Sequence, residues 1–346
     1  MNSEAIRLIL IFFLGLGLSL YLTPLMAEAA RRFGLVAKPD GNLRRQKEPV
    51  PYMGGVAIYL AFLLALVFGF GFGFEKQVIG LLLGGTIILM VGLIDDFGVM
   101  TPWMKLFGEL LAVMALLKSG IHLEIQLILD VEPIPEFPLL SYSLSALWLL
   151  TIMNAFNFLD IEDGLCGGAA FFSGIGLLIV SIINRNPAIT SLTCALLAGV
   201  LGFLLYNFHP AKIYLGDAGS LFLGMMFGAL AMIGSYTDQS PLGLFAPALI
   251  LGVPLWEISF TSFARLIQGK PIMQGSPDHL VKRLKKMGLS LKPAVIAHYL
   301  LAIALAGAGL LVMLLAFRPA LILLIISFSV LLIFTIVLLR VKMEIK

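Results

Sequence analysis

The sequence predicts an all-α polytopic membrane protein, a single integral-membrane domain over residues 1–346 with about eleven transmembrane helices. Three observations carry that prediction. Hydrophobic residues make up 60% of the chain and the mean hydropathy is +1.03. Charged residues make up only 12%, about half of the ~25% usual in globular domains. Uncharged runs at 8–26, 81–94 and 319–339 approach or exceed the ~18–20 residues that cross a bilayer.

Cutting at charges, prolines and turn clusters gives spans at 5–26, 53–74, 77–94, 103–119, 141–158, 167–184, 189–207, 218–235, 242–262, 293–315 and 319–341. The first run has no small-residue cleavage site and flows into Met26-Ala-Glu-Ala-Ala-Arg-Arg, so it reads as a retained helix. Between the fourth and fifth spans, residues 121–132 alternate apolar and polar before Pro133 and Pro135. A period of two predicts a strand and a small external β-hairpin. In the last large loop, Leu280, Leu284 and Met287 fall on one helical face among Lys282, Arg283, Lys285 and Lys286. That pattern fits either a helix lying on the membrane surface or a phosphate-binding wall.

Charge fixes the expected orientation. Eighteen of the 23 Lys and Arg residues fall on one side, and only Arg7, Lys76, Lys118, Arg185 and Arg318 on the other. Positive residues favour the cytoplasm, so the N-terminus is expected outside and the C-terminus inside. Cys166 and Cys194 offer neither a disulfide framework nor zinc spacing. A net charge of +3 without a dense basic face excludes nucleic-acid binding.

Acids carry the strongest chemical signal. Asp95, Asp96, Asp160, Glu162, Asp163, Asp217 and Asp278 come from four regions, yet this topology gathers them on the cytoplasmic face. Acids at membrane depth are expensive and usually face a cavity or a partner, which predicts one site at the inner boundary. Asp95 and Asp96 repel unless a cation neutralises them, and Lys105 follows one short loop later; Glu109, one turn on, could pair with Lys105. Asn154, Asn157, Asp160, Glu162 and Asp163 form an oxygen-rich cluster suited to Mg²⁺, with Mn²⁺ as second candidate. Asp217, between Gly216 and Gly219 at a helix start, reads either as an N-cap or as part of a backbone cradle for phosphate.

These residues resemble the polyprenyl-phosphate N-acetylhexosamine-1-phosphate transferases. The aspartate pair with its downstream lysine resembles Asp95, Asp96 and Lys105. An Asn-x-x-Asn-x-x-Asp-x-x-Asp-Gly-Leu motif matches Asn154, Asn157, Asp160, Asp163, Gly164 and Leu165. Gly-Asp-x-Gly-Ser matches Gly216, Asp217, Gly219 and Ser220, and Pro-x-x-Gly-Gly matches Pro51, Gly54 and Gly55. Ile161 stands where family members commonly have glycine. The last-loop motif, a His-x-His-His-Arg run in the simple-hexosamine branch, keeps only His279 and Arg283.

The resemblance implies transfer of an N-acetylhexosamine-1-phosphate, GlcNAc-1-phosphate first, from a UDP-sugar to undecaprenyl phosphate with release of UMP. It implies a multi-pass protein of the inner (plasma) membrane, among membrane lipids, with a homodimer carried as a candidate assembly. By the same analogy Asp217 and Asn157 hold Mg²⁺, Asp95 and Asp96 serve the acceptor phosphate, and Lys105 neutralises the pyrophosphate. Asn154, Asp160, Asp163 and Asn207 face the nucleotide, Tyr214 stacks on uracil, and His279, Lys282 and Arg283 contact phosphate. Two alternatives stay open: the muramoyl-pentapeptide phosphotransferase branch and, from another class, a transporter or flippase. The latter expects acids near the bilayer midplane on repeated halves, and no repeat is evident here.

Overall fold

Eight helices among the described residues are long and apolar enough to cross a membrane, nine if a pair bent by 76° counts as one span. The computed structural model describes residues 3–37, 49–70, 75–123, 138–269, 278–341 and 343, which divide into two compact units, Met1–Gly234 and Ser235–Lys346.

The first unit holds α1 (Ser3–Arg32), α2 (Gly54–Phe70), α3 (Lys76–Asp96), α4 (Pro102–Lys118), α5 (Pro138–Leu159), α6 (Leu165–Ile183), α7 (Pro187–Asn207) and α8 (Gly216–Ile233). Helices α7 and α8 form its centre, with 89% and 83% of their apolar windows buried, against 17% for α1 at the rim. Small residues allow the close approaches. Ser19 on α1 donates to the Gly199 carbonyl on α7 at 2.6 Å, and Gly92 on α3 lies against Ala218 on α8. Helices α2 and α4, at 17 residues each, fall short of the ~20 that cross a full hydrocarbon core.

Between α1 and α2, strands β1 (Val36–Ala37) and β2 (Val50–Pro51) pair antiparallel, Val36 opposite Pro51. The segment after β2 then docks on the entry to α8. Tyr214 N–H donates to the Pro51 carbonyl, Gly54 N–H to that of Tyr214, and Gly55 N–H to that of Leu215, all within 2.8–3.0 Å. A Cβ on Gly55 would lie 2.2 Å from Gly219, so only glycine fits. Two motifs about 160 residues apart are thus one contact.

The second unit opens on a 3₁₀ turn (Pro241–Phe245) and continues through α9 (Ala246–Ile250), α10 (Gly252–Ile267), α11 (Leu280–Lys286), α12 (Leu291–Leu314) and α13 (Phe317–Leu339). The predicted single span 242–262 is therefore corrected to a broken helix, turning at Leu251. Pro254, without an N–H, cannot bond back to the Ile250 carbonyl, so the ladder is interrupted at the bend. The amphipathic helix read in the last loop is α11, and its apolar face packs within the second unit. Its Leu280 is fully buried, and with Leu284 it packs on Phe260, Ala264 and Leu338. Most of the expected external strand, residues 124–132, lies outside the described residues; 121–123 are described and are not strand.

Candidate active site

Asp95, Asp96, Asp160 and Asp217 meet at the N-terminus of α8. Gly216 adopts φ +76°, a left-handed conformation that side chains rarely accept, and a Cβ there would lie 2.6 Å from Asp96 Oδ2. Through that opening Asp96, the last residue of α3, reaches the first amides of α8. Asp217 N–H donates to its Oδ1 at 2.8 Å and Ala218 N–H to its Oδ2 at 3.2 Å. The carboxylate satisfies donors that a first turn leaves unpaired and sits at the positive end of the helix dipole. The reading of these amides as a phosphate cradle is therefore corrected, since Asp96 already occupies them. Asp217 is not the N-cap either; it lies inside the first turn with its side chain turned to other partners.

Those partners are Lys105 and Asn157. Lys105 Nζ lies 2.8 Å from Asp95 Oδ2 and 2.8 Å from Asp217 Oδ2. One ammonium thus bridges two carboxylates that would otherwise repel. The expected Lys105–Glu109 pairing gives way to this bridge. Glu109, 2% exposed, instead accepts from Asn154 Nδ2 at 3.0 Å, and Asn154 also donates to the Leu150 carbonyl. Asn157 donates from Nδ2 to Asp217 Oδ1 at 2.8 Å and to Ser220 Oγ at 3.0 Å.

The turn between α5 and α6 supplies the remaining acids. Asp160 accepts from the Gly216 N–H, which favours its charged form. Burial outweighs that and pushes its carboxyl well above the usual carboxylate range, with the Asp217 and Asp96 charges acting the same way. Asp163 Oδ2 receives His209 Nδ1 at 2.6 Å and the Ala211 N–H at 3.0 Å. Asn207, 3% exposed, is a brace: its Oδ1 accepts the Gly164 N–H and its Nδ2 donates to the Ile213 carbonyl. Both amide atoms bond to backbone groups, so Asn207 holds the 160–164 turn against the loop that follows α7. Tyr214 is half-buried beside Tyr52, ring centroids 5.9 Å apart.

The last-loop residues belong to the second unit, where they pair internally. His279 Nδ1 lies 2.8 Å from Glu257 Oε1, both residues buried. Arg283, 2% exposed, donates to Asp278 Oδ1 and to the carbonyls of Leu338 and Val341, and lies over the Phe260 ring. That guanidinium clamps α11 to the end of α13. Lys282 is half-buried on the same helix.

Glu109 and His209 were not singled out by sequence reasoning as members of the site. A lone acid inside an apolar helix was the available signal for Glu109. Nothing local announces that His209 folds back on Asp163, 46 residues earlier.

Among the described residues no group of three or more His, Cys, Asp or Glu side chains is placed to hold a metal ion. Asn157 Oδ1 has no hydrogen bond among them and stands beside the Asp217 carboxylate. Mg²⁺ commonly binds one or two carboxylates and completes its shell with water and substrate phosphates, and this donor set suits that mode.

Helices of membrane-crossing length, with a carboxylate–lysine–amide cluster at their ends, define a polytopic membrane protein with a preorganised polar site. The chain belongs to Glycosyl transferase family 4, whose family model matches residues 78–235. A Bacillus subtilis protein named "Probable undecaprenyl-phosphate N-acetylglucosaminyl 1-phosphate transferase" is 30% identical over 301 residues, 87% of this chain and 84% of that one. A Mycobacterium leprae decaprenyl-phosphate N-acetylglucosaminephosphotransferase is 28% identical over 81% of this chain and 77% of its own. A Heliobacterium modesticaldum phospho-N-acetylmuramoyl-pentapeptide-transferase is 28% identical over 79% and 88%.

Proposed function

We propose that this chain transfers GlcNAc-1-phosphate from UDP-GlcNAc to undecaprenyl phosphate, releasing UMP, as the first membrane step of a cell-envelope polysaccharide pathway. One observation carries the reading: Asp95, Lys105, Asn157 and Asp217, from four helices, join in one hydrogen-bonded chain at helix ends. The names of the Bacillus and Mycobacterium relatives support the same acceptor class and sugar.

The chemistry needs no dedicated nucleophile. An oxygen of the lipid phosphate attacks the donor phosphorus nearer the sugar, the bond from that phosphorus to the UMP oxygen breaks, and UMP leaves with the electron pair. One pyrophosphate replaces another, so positioning and charge neutralisation dominate. Lys105 supplies the fixed positive charge for the pyrophosphate. Asp96 is committed to the α8 amides, so Asp95, paired with Lys105, is the acid that orients the acceptor. Mg²⁺, held by Asp217 with Asn157, would neutralise charge on the pyrophosphate oxygens. Asp163 and Tyr214 receive the uridine. The site faces the cytoplasm of a plasma-membrane protein whose N-terminus is outside, where a water-borne donor can meet a lipid-borne acceptor.

The test is a donor panel: purified protein, undecaprenyl phosphate and Mg²⁺, with UDP-GlcNAc, UDP-GalNAc or the muramoyl-pentapeptide nucleotide. UMP release and a lipid-linked product are expected with UDP-GlcNAc. Turnover with the pentapeptide nucleotide alone would move the chain to the peptidoglycan branch, and no lipid-dependent UMP release with any donor would end the reading.

A further inference from the structure

All hydrogen bonds that Asp163 makes among the described residues fall on one oxygen. Oδ2 receives His209 Nδ1 at 2.6 Å and the Ala211 N–H at 3.0 Å, and Oδ1 receives none. The carboxylate is 17% exposed and the imidazole 42%, so the pair stands at an accessible surface of the first unit. The backbone around it is fixed independently. Asn207 ties the Gly164 amide to the Ile213 carbonyl, which clasps the 160–164 turn to the loop joining α7 and α8.

One donor alone would let a carboxylate rotate about its Cβ–Cγ bond. Two donors meeting one oxygen from a ring and from a backbone amide hold its plane. The second oxygen then becomes an acceptor at a set position. Uracil offers an N–H donor at N3 between two carbonyls, whereas cytosine offers a lone pair there. A fixed carboxylate oxygen accepts from the first and repels the second, and a site built around such a bond rejects the base that cannot make it.

We infer that His209 is a positioning residue for base selection: it holds Asp163 by Oδ2 so that Oδ1 accepts from the uracil N3–H of the donor. The inference rests on the reading of Asp163 as a uridine contact. His209 touches neither the reacting phosphorus nor the acceptor lipid. Its loss is therefore felt in donor binding and base choice, not in the rate of the bound complex.

The experiment uses the full-length protein in detergent and two variants, His209→Ala and His209→Asn, whose elution profiles report folding. UMP and CMP affinities are measured by calorimetry, and KM and kcat with UDP-GlcNAc and undecaprenyl phosphate. The wild-type protein is expected to prefer UMP to CMP by about tenfold or more, and His209→Ala to lose about tenfold in UMP affinity with CMP little changed. The asparagine amide can still donate to Oδ2, so His209→Asn should recover UMP binding to within about threefold. KM for UDP-GlcNAc should rise in His209→Ala, with kcat and the lipid KM within about twofold.

An unchanged UMP-to-CMP ratio in His209→Ala would overturn the inference, as would UMP and CMP weakening together, which marks a merely structural role. Failure of His209→Asn to rescue would overturn it too. Wild-type protein that binds no UMP would sink the uridine reading and this inference with it. Protein that binds UMP with the expected preference but transfers no sugar phosphate would sink the transfer reading and leave His209 in place.

Discussion

Asp96 Oδ1 lies 2.8 Å from the amide nitrogen of Asp217, so the last residue of α3 closes the first turn of α8. The bond ties two acids of separate motifs together, and from that held backbone the Asp217 side chain reaches Lys105. Asp96→Ala strips two amides of their acceptor and should cost about 1–2 kcal/mol, the scale of a lost N-cap. Asp96→Asn keeps one acceptor oxygen and should cost less. Thermal unfolding in detergent checks the order; a Tm for Asp96→Ala equal to the wild type would show that the cap carries no stability.

The Gly55–Gly219 contact makes a sharper packing prediction. A Cβ at Gly55 would lie 2.2 Å from Gly219 backbone atoms, whereas one at Gly17 meets nothing within 4 Å. Overpacking of this kind costs about 1–3 kcal/mol or more, and here it pushes on the helix that carries Asp217. Gly55→Ala should lower Tm and activity together, and Gly17→Ala should leave both near wild type. Equal behaviour of the two variants would contradict the contact.

Asp160 is raised by burial and by its acidic neighbours, so the folded protein opposes its ionisation. A carboxyl whose folded pKa exceeds its unfolded value gives stability that is present at acid pH and lost as pH rises through the folded value. Asp160→Asn keeps an acceptor for the Gly216 N–H and removes that liability. In a chelator, its Tm advantage over wild type should be absent at low pH and grow towards alkaline pH. A Tm deficit at alkaline pH would contradict the assignment.

Much of this was readable in the chain because composition and spacing record it. Uncharged runs mark the helices at nearly their observed bounds, and acids at the ends of those runs mark the cluster of Asp95, Asp96 and Asp217. What depends on direction left no trace. The span through Leu251 is apolar throughout, so hydropathy cannot register a 76° turn. The bonds that Asn207 and Arg283 make within the fold are likewise not recorded in spacing. Their partners, backbone groups for Asn207 and the Asp278 carboxylate with two carbonyls for Arg283, are brought close by tertiary folding. The Gly216 region suggested a phosphate cradle for a sound reason, free amides at a helix start, and the competing acceptor came from a helix about 120 residues earlier.

Orientation can be tested on α13. Arg318 and Arg340 flank its two ends and both are exposed, while Cys166 and Cys194 are only 1% and 6% exposed. Native thiols should therefore give little background, and Cys166, packed against the Phe156 carbonyl, is unsuited as a reporter. On intact cells an impermeant thiol reagent should label Arg318→Cys and spare Arg340→Cys, the pattern expected with positive residues inside. The reverse pattern would invert the expected orientation of α13.

The central claim is that Asp217, set between Lys105 and Asn157 at 2.8 Å from each, supports transfer of a sugar phosphate to a lipid phosphate. The most direct measurement is undecaprenyl-phosphate-dependent UMP release from UDP-GlcNAc by wild-type and Asp217→Asn protein across a Mg²⁺ titration. The amide keeps the shape and one oxygen but removes the charge that pairs with Lys105 and favours a hard divalent ion. Losing several kcal/mol of support at a transferring phosphorus corresponds to a rate loss of at least about a hundredfold. That loss, in a variant with wild-type elution, is the predicted result. Near-normal UMP release by Asp217→Asn at ordinary Mg²⁺ would contradict the account and move the chemistry away from the α8 N-terminus.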